Sequence, residues 1–319
     1  MKIDYKMIDK ELKLTGTMMN LLLKKAGKKN FEFQCKIYKL LTRPPKGLDS
    51  SNIWIDRENG TKMRLRIYKP LSRNNKGPAI LWLHGGGYAT GAPELNAKLC
   101  KRLVEESASV IVAPDYRLSI KEPYPAALDD CYSALLWLKE HAEELGARSD
   151  QLMVGGESAG GGLTAAITLL ARDRKEVNIA FQMPLYPMID DRMINNSARD
   201  NNAPGWNSYN NLEAWKLYLG DLFGANNVPY YAAPARITNF SNLPPAVTFV
   251  GDLDPFLDET ISYFQGLEQA GIPAEYRVYK GCFHGFDIAC PNAQISRRAT
   301  DEFLTSFRYA VNTYFKKQP

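Results

Sequence analysis

Gly156-Glu157-Ser158-Ala159-Gly160 is the stretch of sequence that decides the fold. A serine side chain can stand exposed at the tip of a sheet only if the strand before it turns abruptly into a helix. The glycines two places before and after Ser158 permit this close approach of the backbone. The stretch therefore predicts a nucleophilic serine on a strand-to-helix turn. Taken alone, a G-x-S-x-G pattern also fits a glycine-rich turn that caps a helix.

The flanking residues favour the first interpretation. Residues 151–154 (QLMV) are typical of a short buried strand, and residues 163–170 (LTAAITLL) continue as an apolar helix. The order strand, turn, helix is the context that a nucleophilic serine on such a turn requires.

A second glycine cluster, His84-Gly85-Gly86-Gly87-Tyr88, follows the continuously apolar strand at 79–83. Consecutive glycines can leave several backbone N–H groups pointing into one cavity, as a developing oxyanion requires. We expect the N–H groups of Gly86, Gly87 and Ala159 to bind that oxyanion.

A dinucleotide-binding unit competes for the same glycines. Gly85, Gly87 and Gly91 follow a strand and precede a predicted helix at 93–106, and Asp115 follows the next strand. This alternative leaves Ser158 unexplained, and such a unit usually begins its domain instead of following other strands.

Four motifs together resemble the hormone-sensitive lipase-like esterases, the bacterial acetyl-esterase type of α/β-hydrolase. They are residues 84–87, residues 115–118 (DYRL), residues 123–130 (PYPAALDD) and residues 156–160. The resemblance runs from about residue 78 to the last helix. It implies an α/β fold with a mostly parallel eight-stranded sheet, flanking helices and a helical cap. The chain departs from the family after Leu118, where Ser-Ile-Lys replaces the usual Ala-Pro-Glu and removes an acid.

The chain has three histidines from which to choose a general base. His141 lies in a charged helical run that is typical of a solvated surface, and the resemblance gives His84 the role of organising the glycine loop. His284 remains, in a loop after the predicted strand 275–279. A histidine just beyond a strand end can reach Ser158 from a neighbouring loop.

Several acids follow the predicted strand 246–250 and could orient the histidine. Residues 254–259 resemble the family's Asp-Pro-x-x-Asp-Glu pattern, whose first Asp is the catalytic acid, so we choose Asp254 with Asp252 as second choice. Asp258 opens a helix, where a carboxylate commonly stabilises the N-terminus. The order Ser158, Asp254, His284 agrees with that of α/β-hydrolases.

The outer parts of the chain are predicted to cover this site. Residues 1–50 hold twelve Lys or Arg against five Asp or Glu, interleaved with apolar residues at helical spacing, and a turn at 42–47 closes them. We interpret them as N-terminal cap helices with a solvated face, although a basic segment can also attract anionic substrates or a membrane surface. Residues 51–319 are predicted to form the catalytic domain, which begins with a hairpin. The family resemblance implies that an insert at about 188–224 joins the N-terminal helices to form the cap. Tyr88 and Trp206 are the candidate substrate-binding residues.

Composition limits the remaining possibilities. The mean hydropathy is −0.33, and neither a signal peptide nor a membrane span is predicted. The five cysteines have no C-x-x-C spacing, which predicts a cytoplasmic protein without a zinc site. We expect no cofactor, no metal, no nucleic-acid partner and no stable membrane insertion, and a homo-oligomer remains open.

These features predict a serine carboxylesterase in which Asp254 orients His284 and His284 activates Ser158. The family and the small cap favour esters with short acyl chains, from acetate to butyrate. An amidase or a sugar or xylan deacetylase would use the same residues. A non-catalytic binding protein on this fold, like the plant gibberellin receptors that lack the catalytic histidine, is disfavoured because His284 is present.

Overall fold

A computed structural model describes residues 1–41, 45–72 and 76–319, so part of the turn predicted at 42–47 lies outside the described residues. One eight-stranded sheet runs through the described chain in the order β1-β2-β4-β3-β5-β6-β7-β8. The strands are β1 Asp49–Asp56, β2 Lys62–Lys69, β3 Pro78–Leu83, β4 Val110–Pro114, β5 Arg148–Glu157, β6 Phe181–Leu185, β7 Ala246–Gly251 and β8 Ala274–Tyr279. The helices are α1 Lys13–Leu23, α2 Lys28–Leu41, α3 Ala97–Ser107, α4 Ala126–His141, α5 Ala159–Arg174, α6 Ser208–Leu219, α7 Leu257–Gln269, α8 Phe286–Ala289 and α9 Gln294–Thr313.

The sheet is parallel except at one edge. β1 and β2 form the predicted hairpin, and β2 also runs antiparallel to β4, whereas β3 to β8 pair in parallel. Every residue of β3, β4, β6 and β7 is buried. Such strands require a covered face on both sides of the sheet, and this explains their continuous apolar runs. The predicted α/β fold with a mostly parallel eight-stranded sheet is confirmed.

Helices cover both faces of the sheet. Along β3, Leu81 and Leu83 belong to one buried cluster and Ile80 and Trp82 to the other, because successive strand side chains point to opposite faces. The first cluster contains buried residues of α4 and α5, and the second contains those of α3 and α9. The layered arrangement brings the carboxyl ends of β3, β5, β7 and β8 to one edge.

The N-terminal helices are tied to the long connection between β6 and β7. Asn210, in α6, accepts a hydrogen bond from the Ala26 N–H at 2.7 Å and donates one to the Leu23 carbonyl at 2.8 Å. Asn207 donates to the Lys24 carbonyl at 3.1 Å. The turn between α1 and α2 is therefore held by buried amide side chains.

The turn at Ser158 leaves no space beside its glycines. A Cβ atom on Gly160 would lie 2.0 Å from the Leu83 carbonyl oxygen, and one on Gly156 would lie 2.4 Å from the same atom. Gly156 lies in β5, which is hydrogen-bonded to β3, so these two strands cannot move apart without breaking the sheet.

We expect Gly160→Ala to lower the free energy of unfolding by about 1–3 kcal/mol or more, because the added methyl group must push the first turn of α5 away from the end of β3. Gly27→Ala is the matched control, since a Cβ there meets no atom within 4 Å. It should change the stability by less than about 1 kcal/mol. Urea denaturation measures both, and equal effects would contradict the close approach as the reason for Gly160.

Candidate active site

Ser158 lies between the last residue of β5 and the first residue of α5. Its backbone has φ +58° and ψ −120°, an unfavourable conformation for a residue with a side chain. Strain of this kind persists only where the surrounding structure enforces it, and it is concentrated at functional sites. The predicted strand, turn and helix are all present here.

His284 joins Ser158 and Asp254 in one chain of hydrogen bonds. Its Nε2 lies 2.8 Å from Oγ of Ser158, and its Nδ1 lies 2.7 Å from Oδ2 of Asp254. The three residues follow β5, β7 and β8, whose carboxyl ends meet at the same edge of the sheet. The Asp254 side chain is only 1% exposed, so little water competes for the histidine.

The neighbouring acids have other partners. Oδ1 of Asp252 accepts the Gly281 N–H at 2.6 Å and so fixes the loop that carries His284. Oδ2 of Asp258 accepts the Ser197 N–H at 2.9 Å. The remaining oxygen of Asp254 accepts the Phe256 N–H at 2.8 Å, which orients the carboxylate. Of the acids weighed, Asp254 is the one that contacts His284.

Three backbone donors border the serine. Within the described part of the chain, the N–H groups of Gly86, Gly87 and Ala159 donate to no backbone or side-chain acceptor. Gly86 has φ +116° and Gly87 has φ +59°, conformations that favour glycine. A Cβ on Gly87 would lie 2.3 Å from the Trp206 ring. These donors remain available to a substrate oxygen.

The side chains of His84 and Tyr116 support the glycine loop, residues 84–88. Their rings stack with centroids 4.1 Å apart, and the Tyr116 hydroxyl donates to the His84 carbonyl at 2.7 Å. Nδ1 of His84 lies 2.8 Å from the Gly85 carbonyl. Burial lowers the pKa of His84 below its ordinary value, which favours a neutral ring. This geometry fits the organising role that the family resemblance implies.

Glu157, which the sequence analysis did not single out, also holds this loop. Its Oε1 accepts the Gly85 N–H at 2.8 Å and its Oε2 accepts the Trp82 indole N–H at 3.1 Å. Burial raises the pKa of this carboxyl well above its ordinary value. An acidic residue directly after the apolar run at 152–156 is the sequence signal that could have identified it.

Arg117 retains ion pairs despite the departure from the family at residues 119–121. Its guanidinium contacts Glu122 at 2.7 Å and Asp130 at 3.0 Å. Glu122 and Asp130 therefore supply the negative charge that the missing family acid does not.

A cavity of about 300 Å³ opens over Ser158 and His284. Its walls come from α1, α2, the glycine loop, the connection between β6 and β7, and α8. The larger side chains are Met19, Leu23, Phe31, Tyr38, Tyr186, Trp206 and Ile288. Trp206, a predicted substrate-binding residue, is therefore part of the wall.

Tyr88 does not line this cavity. Its side chain is 1% exposed, its ring stacks on Tyr218 at 3.8 Å, and its hydroxyl donates to the Met188 carbonyl at 2.6 Å. The prediction of a substrate contact was wrong for Tyr88, because this side chain points into the core and anchors the loop. His141 also lies elsewhere, stacked on Trp137 in α4.

Comparison with known proteins agrees with the fold. Residues 80–288 match the family described as having the α/β hydrolase fold. The chain is 31% identical to the esterase LipI of Mycobacterium tuberculosis over 77% of this chain and 78% of that protein. It is 31% identical to an ethyl acetate hydrolase of Pseudomonas putida, over 74% and 75% of the two chains.

Among solved structures, a bacterial heroin esterase has a TM-score of 0.89 and 33% sequence identity, covering 96% of this chain and 99% of its own. In the described ranges, no helix is long and apolar enough to cross a membrane. The match over most of the chain and the similarity to several esterases lead to one conclusion: the chain belongs to the α/β-hydrolase family, among the hormone-sensitive lipase-like esterases, and is a carboxylic ester hydrolase.

Proposed function

We propose that the protein is a serine carboxylesterase that hydrolyses esters of short acyl chains through an acyl-enzyme. The observation that carries this proposal is the hydrogen-bonded chain from Ser158 through His284 to Asp254, at 2.8 and 2.7 Å. A serine hydroxyl is a weak nucleophile, and it becomes effective when a positioned base accepts its proton during attack.

In the first half of the reaction, Nε2 of His284 takes the proton from Ser158 as Oγ attacks the ester carbonyl carbon. Asp254 keeps the other imidazole proton on Nδ1 and stabilises the imidazolium that forms. His284 then gives its proton to the leaving alcohol oxygen, and the acyl group stays on Ser158.

In the second half, a water molecule gives a proton to His284 and attacks the acyl carbon. Collapse of this second intermediate breaks the bond to Oγ, returns the proton to Ser158 and releases the acid. The carbonyl oxygen carries the negative charge in both steps. The N–H groups of Gly86, Gly87 and Ala159 are proposed to stabilise it, because their hydrogen bonds strengthen as the charge develops.

The size and lining of the cavity support a small substrate. A space of about 300 Å³ with mostly apolar walls favours compact, uncharged acyl and alcohol groups. Ethyl acetate, which the Pseudomonas putida relative is named for, is an ester of this kind. Acyl chains from acetate to butyrate are the proposed range.

Ser158→Ala should lower kcat for a short p-nitrophenyl ester by a factor of about 10³ or more, because no nucleophile remains. The variant should also lose covalent labelling by a fluorophosphonate probe, which the wild-type protein should show. Wild-type hydrolysis by Ser158→Ala would exclude the mechanism. Failure of the wild-type protein to react with the probe would favour a ligand-binding protein.

Asp254→Asn should lower kcat by a factor of about 10³–10⁴, because an amide does not stabilise imidazolium and favours the wrong tautomer. Asp252→Asn is the matched control, two residues away and, among the described residues, without a hydrogen bond to His284, and it should lower kcat by less than about tenfold. Steady-state kinetics on both variants decides the assignment. The reverse order of effects would move the acid to Asp252.

A substrate series should separate this function from its alternatives. We expect kcat/KM to be largest for acetyl to butyryl p-nitrophenyl esters and to fall with longer chains, because the cavity of about 300 Å³ accommodates longer acyl chains poorly. Matched anilides and acetylated sugars test the leaving group. Faster cleavage of either class would identify an amidase or a deacetylase with the same residues.

We expect Asp287, a half-buried acid near the proposed base, to make the stability of the protein depend on pH. Oδ2 of Asp287 accepts the Tyr186 hydroxyl at 3.2 Å, and the Tyr186 ring lies 5.2 Å from the His284 ring. Oδ1 of Asp287 has no hydrogen-bond partner in the described residues. Burial raises the pKa of this carboxyl from 3.8 to about 6. Between these two values the folded protein keeps a proton that the unfolded chain releases, so stability falls as the pH rises.

Asp287→Asn should remove this loss. The difference in the free energy of unfolding, Asp287→Asn minus wild type, should increase by about 1–3 kcal/mol when the pH is raised from 4 to 7. Urea denaturation at both values measures the change. Asp56→Asn, at a side chain that is 75% exposed, is the control and should show no such trend. A constant difference between Asp287→Asn and wild type would contradict the raised pKa.

We also propose that the protein works in the cytoplasm. All five cysteines are free and buried, which supports a reducing compartment.

A further inference from the structure

Helix α1 presents an apolar stripe to the solvent. Leu14, Met18 and Leu21 are 75%, 55% and 81% exposed. They are spaced at i, i+4 and i+7, which places them on one face of the helix. Single exposed apolar residues are ordinary on a protein surface, but a row of three large ones indicates a binding surface.

The opposite face of α1 is also apolar and is already occupied. Met19 and Leu23 line the cavity over Ser158. Gly16 packs so closely that a Cβ there would lie 3.2 Å from both Phe283 and Pro204. The solvated face predicted for these helices therefore includes an apolar stripe in α1.

Lysines surround this stripe without acidic partners. Residues 12–31 contain five lysines, at positions 13, 24, 25, 28 and 29, and no Asp or Glu. Among the residues that the structure describes, none of the five forms an ion pair. The segment therefore carries a local positive charge that an anionic partner would complement.

Each end of α1 also pairs a lysine with an exposed tyrosine. Nζ of Lys13 lies 5.1 Å from the centre of the Tyr5 ring, and Nζ of Lys25 lies 5.7 Å from that of Tyr209. Tyr5 is 54% and Tyr209 is 43% exposed. Lysine and tyrosine combine an apolar body with a polar end, and this suits them to the boundary between lipid and water.

We propose that residues 12–31, which we call the cap surface, dock the protein on an anionic lipid bilayer. Leu14, Met18 and Leu21 enter the boundary between headgroups and acyl chains, and the lysines contact lipid phosphates. The 11 residues of α1 make a helix about 16 Å long, too short to cross a bilayer, so it lies along the membrane plane.

A second copy of the chain is the other partner that an apolar stripe could bind. Stacking two cap surfaces would bring ten lysines together without an acid in either segment. Repulsion between like charges opposes that contact, whereas an anionic bilayer complements both the charge and the apolar stripe.

Docking would place the lipid next to the substrate cavity. One face of α1 lines the cavity and the other would contact the bilayer, so the two are separated by about 10 Å, the diameter of one helix. The protein would thereby be held where apolar esters partition.

Vesicle flotation tests the proposal directly. We expect the wild-type protein to bind vesicles of phosphatidylcholine and phosphatidylglycerol in equal parts, to bind pure phosphatidylcholine much more weakly, and to dissociate as salt is raised. The variant L14S/M18S/L21S should bind mixed vesicles about tenfold more weakly. K24E/K28E/K29E should lose binding to the mixed vesicles by at least the same factor.

A matched control replaces three exposed apolar residues elsewhere, Leu71, Ile194 and Tyr309, with serine. This control should bind like wild type, and every variant should hydrolyse a soluble p-nitrophenyl ester at the wild-type rate, which verifies folding. The proposal is overturned if wild type does not bind anionic vesicles at low salt, or if L14S/M18S/L21S binds as well as the control. A wild-type dimer that becomes a monomer in L14S/M18S/L21S would assign the surface to a second copy and would equally overturn it.

Discussion

The structure depends on a close approach of two backbones, where the Leu83 carbonyl at the end of β3 packs against Gly156 and Gly160. Ser158 stands between these glycines with a positive φ, a strained conformation that costs about 1–3 kcal/mol. The strain can persist because β5 is paired on both sides and the first three turns of α5 are fully buried. In return, Ser158 lines the cavity at the edge of the sheet where the loops after β7 and β8 also arrive.

Buried polar groups hold the glycine loop of the site in place through hydrogen bonds within the protein. Glu157 holds the Gly85 N–H, and Tyr116 holds the His84 carbonyl, so the glycine loop is fastened at two successive residues. Desolvation makes such groups costly, and burial raises the pKa of Glu157 for this reason. Their hydrogen bonds are also stronger in a poorly solvated interior, and backbone donors held in advance need not reorganise when charge develops on a substrate.

In the cap, helix α1 lies between the site and the surface of the molecule. The inner face of α1 contributes Met19 and Leu23 to the cavity wall, and the outer face carries the exposed apolar stripe. Amide side chains of Asn207 and Asn210 hold the turn that follows this helix. One short helix therefore lies between the cavity and the exposed apolar stripe.

The sequence by itself determined the sheet and the chain order of the candidate site. Continuous apolar runs are typical of strands in a parallel sheet that is covered on both faces. Among the three histidines, elimination left His284, in a loop after a predicted strand, as the candidate base. Tertiary structure decided the rest, because distances between loops are not encoded in local patterns. Asp252 and Asp254 follow the same strand, and only the packing of β7 beside β8 brings Asp254 to His284. The orientation of Tyr88 depended on Tyr218, 130 residues away. Both faces of α1 are apolar, so periodicity could not say which one the fold would leave exposed.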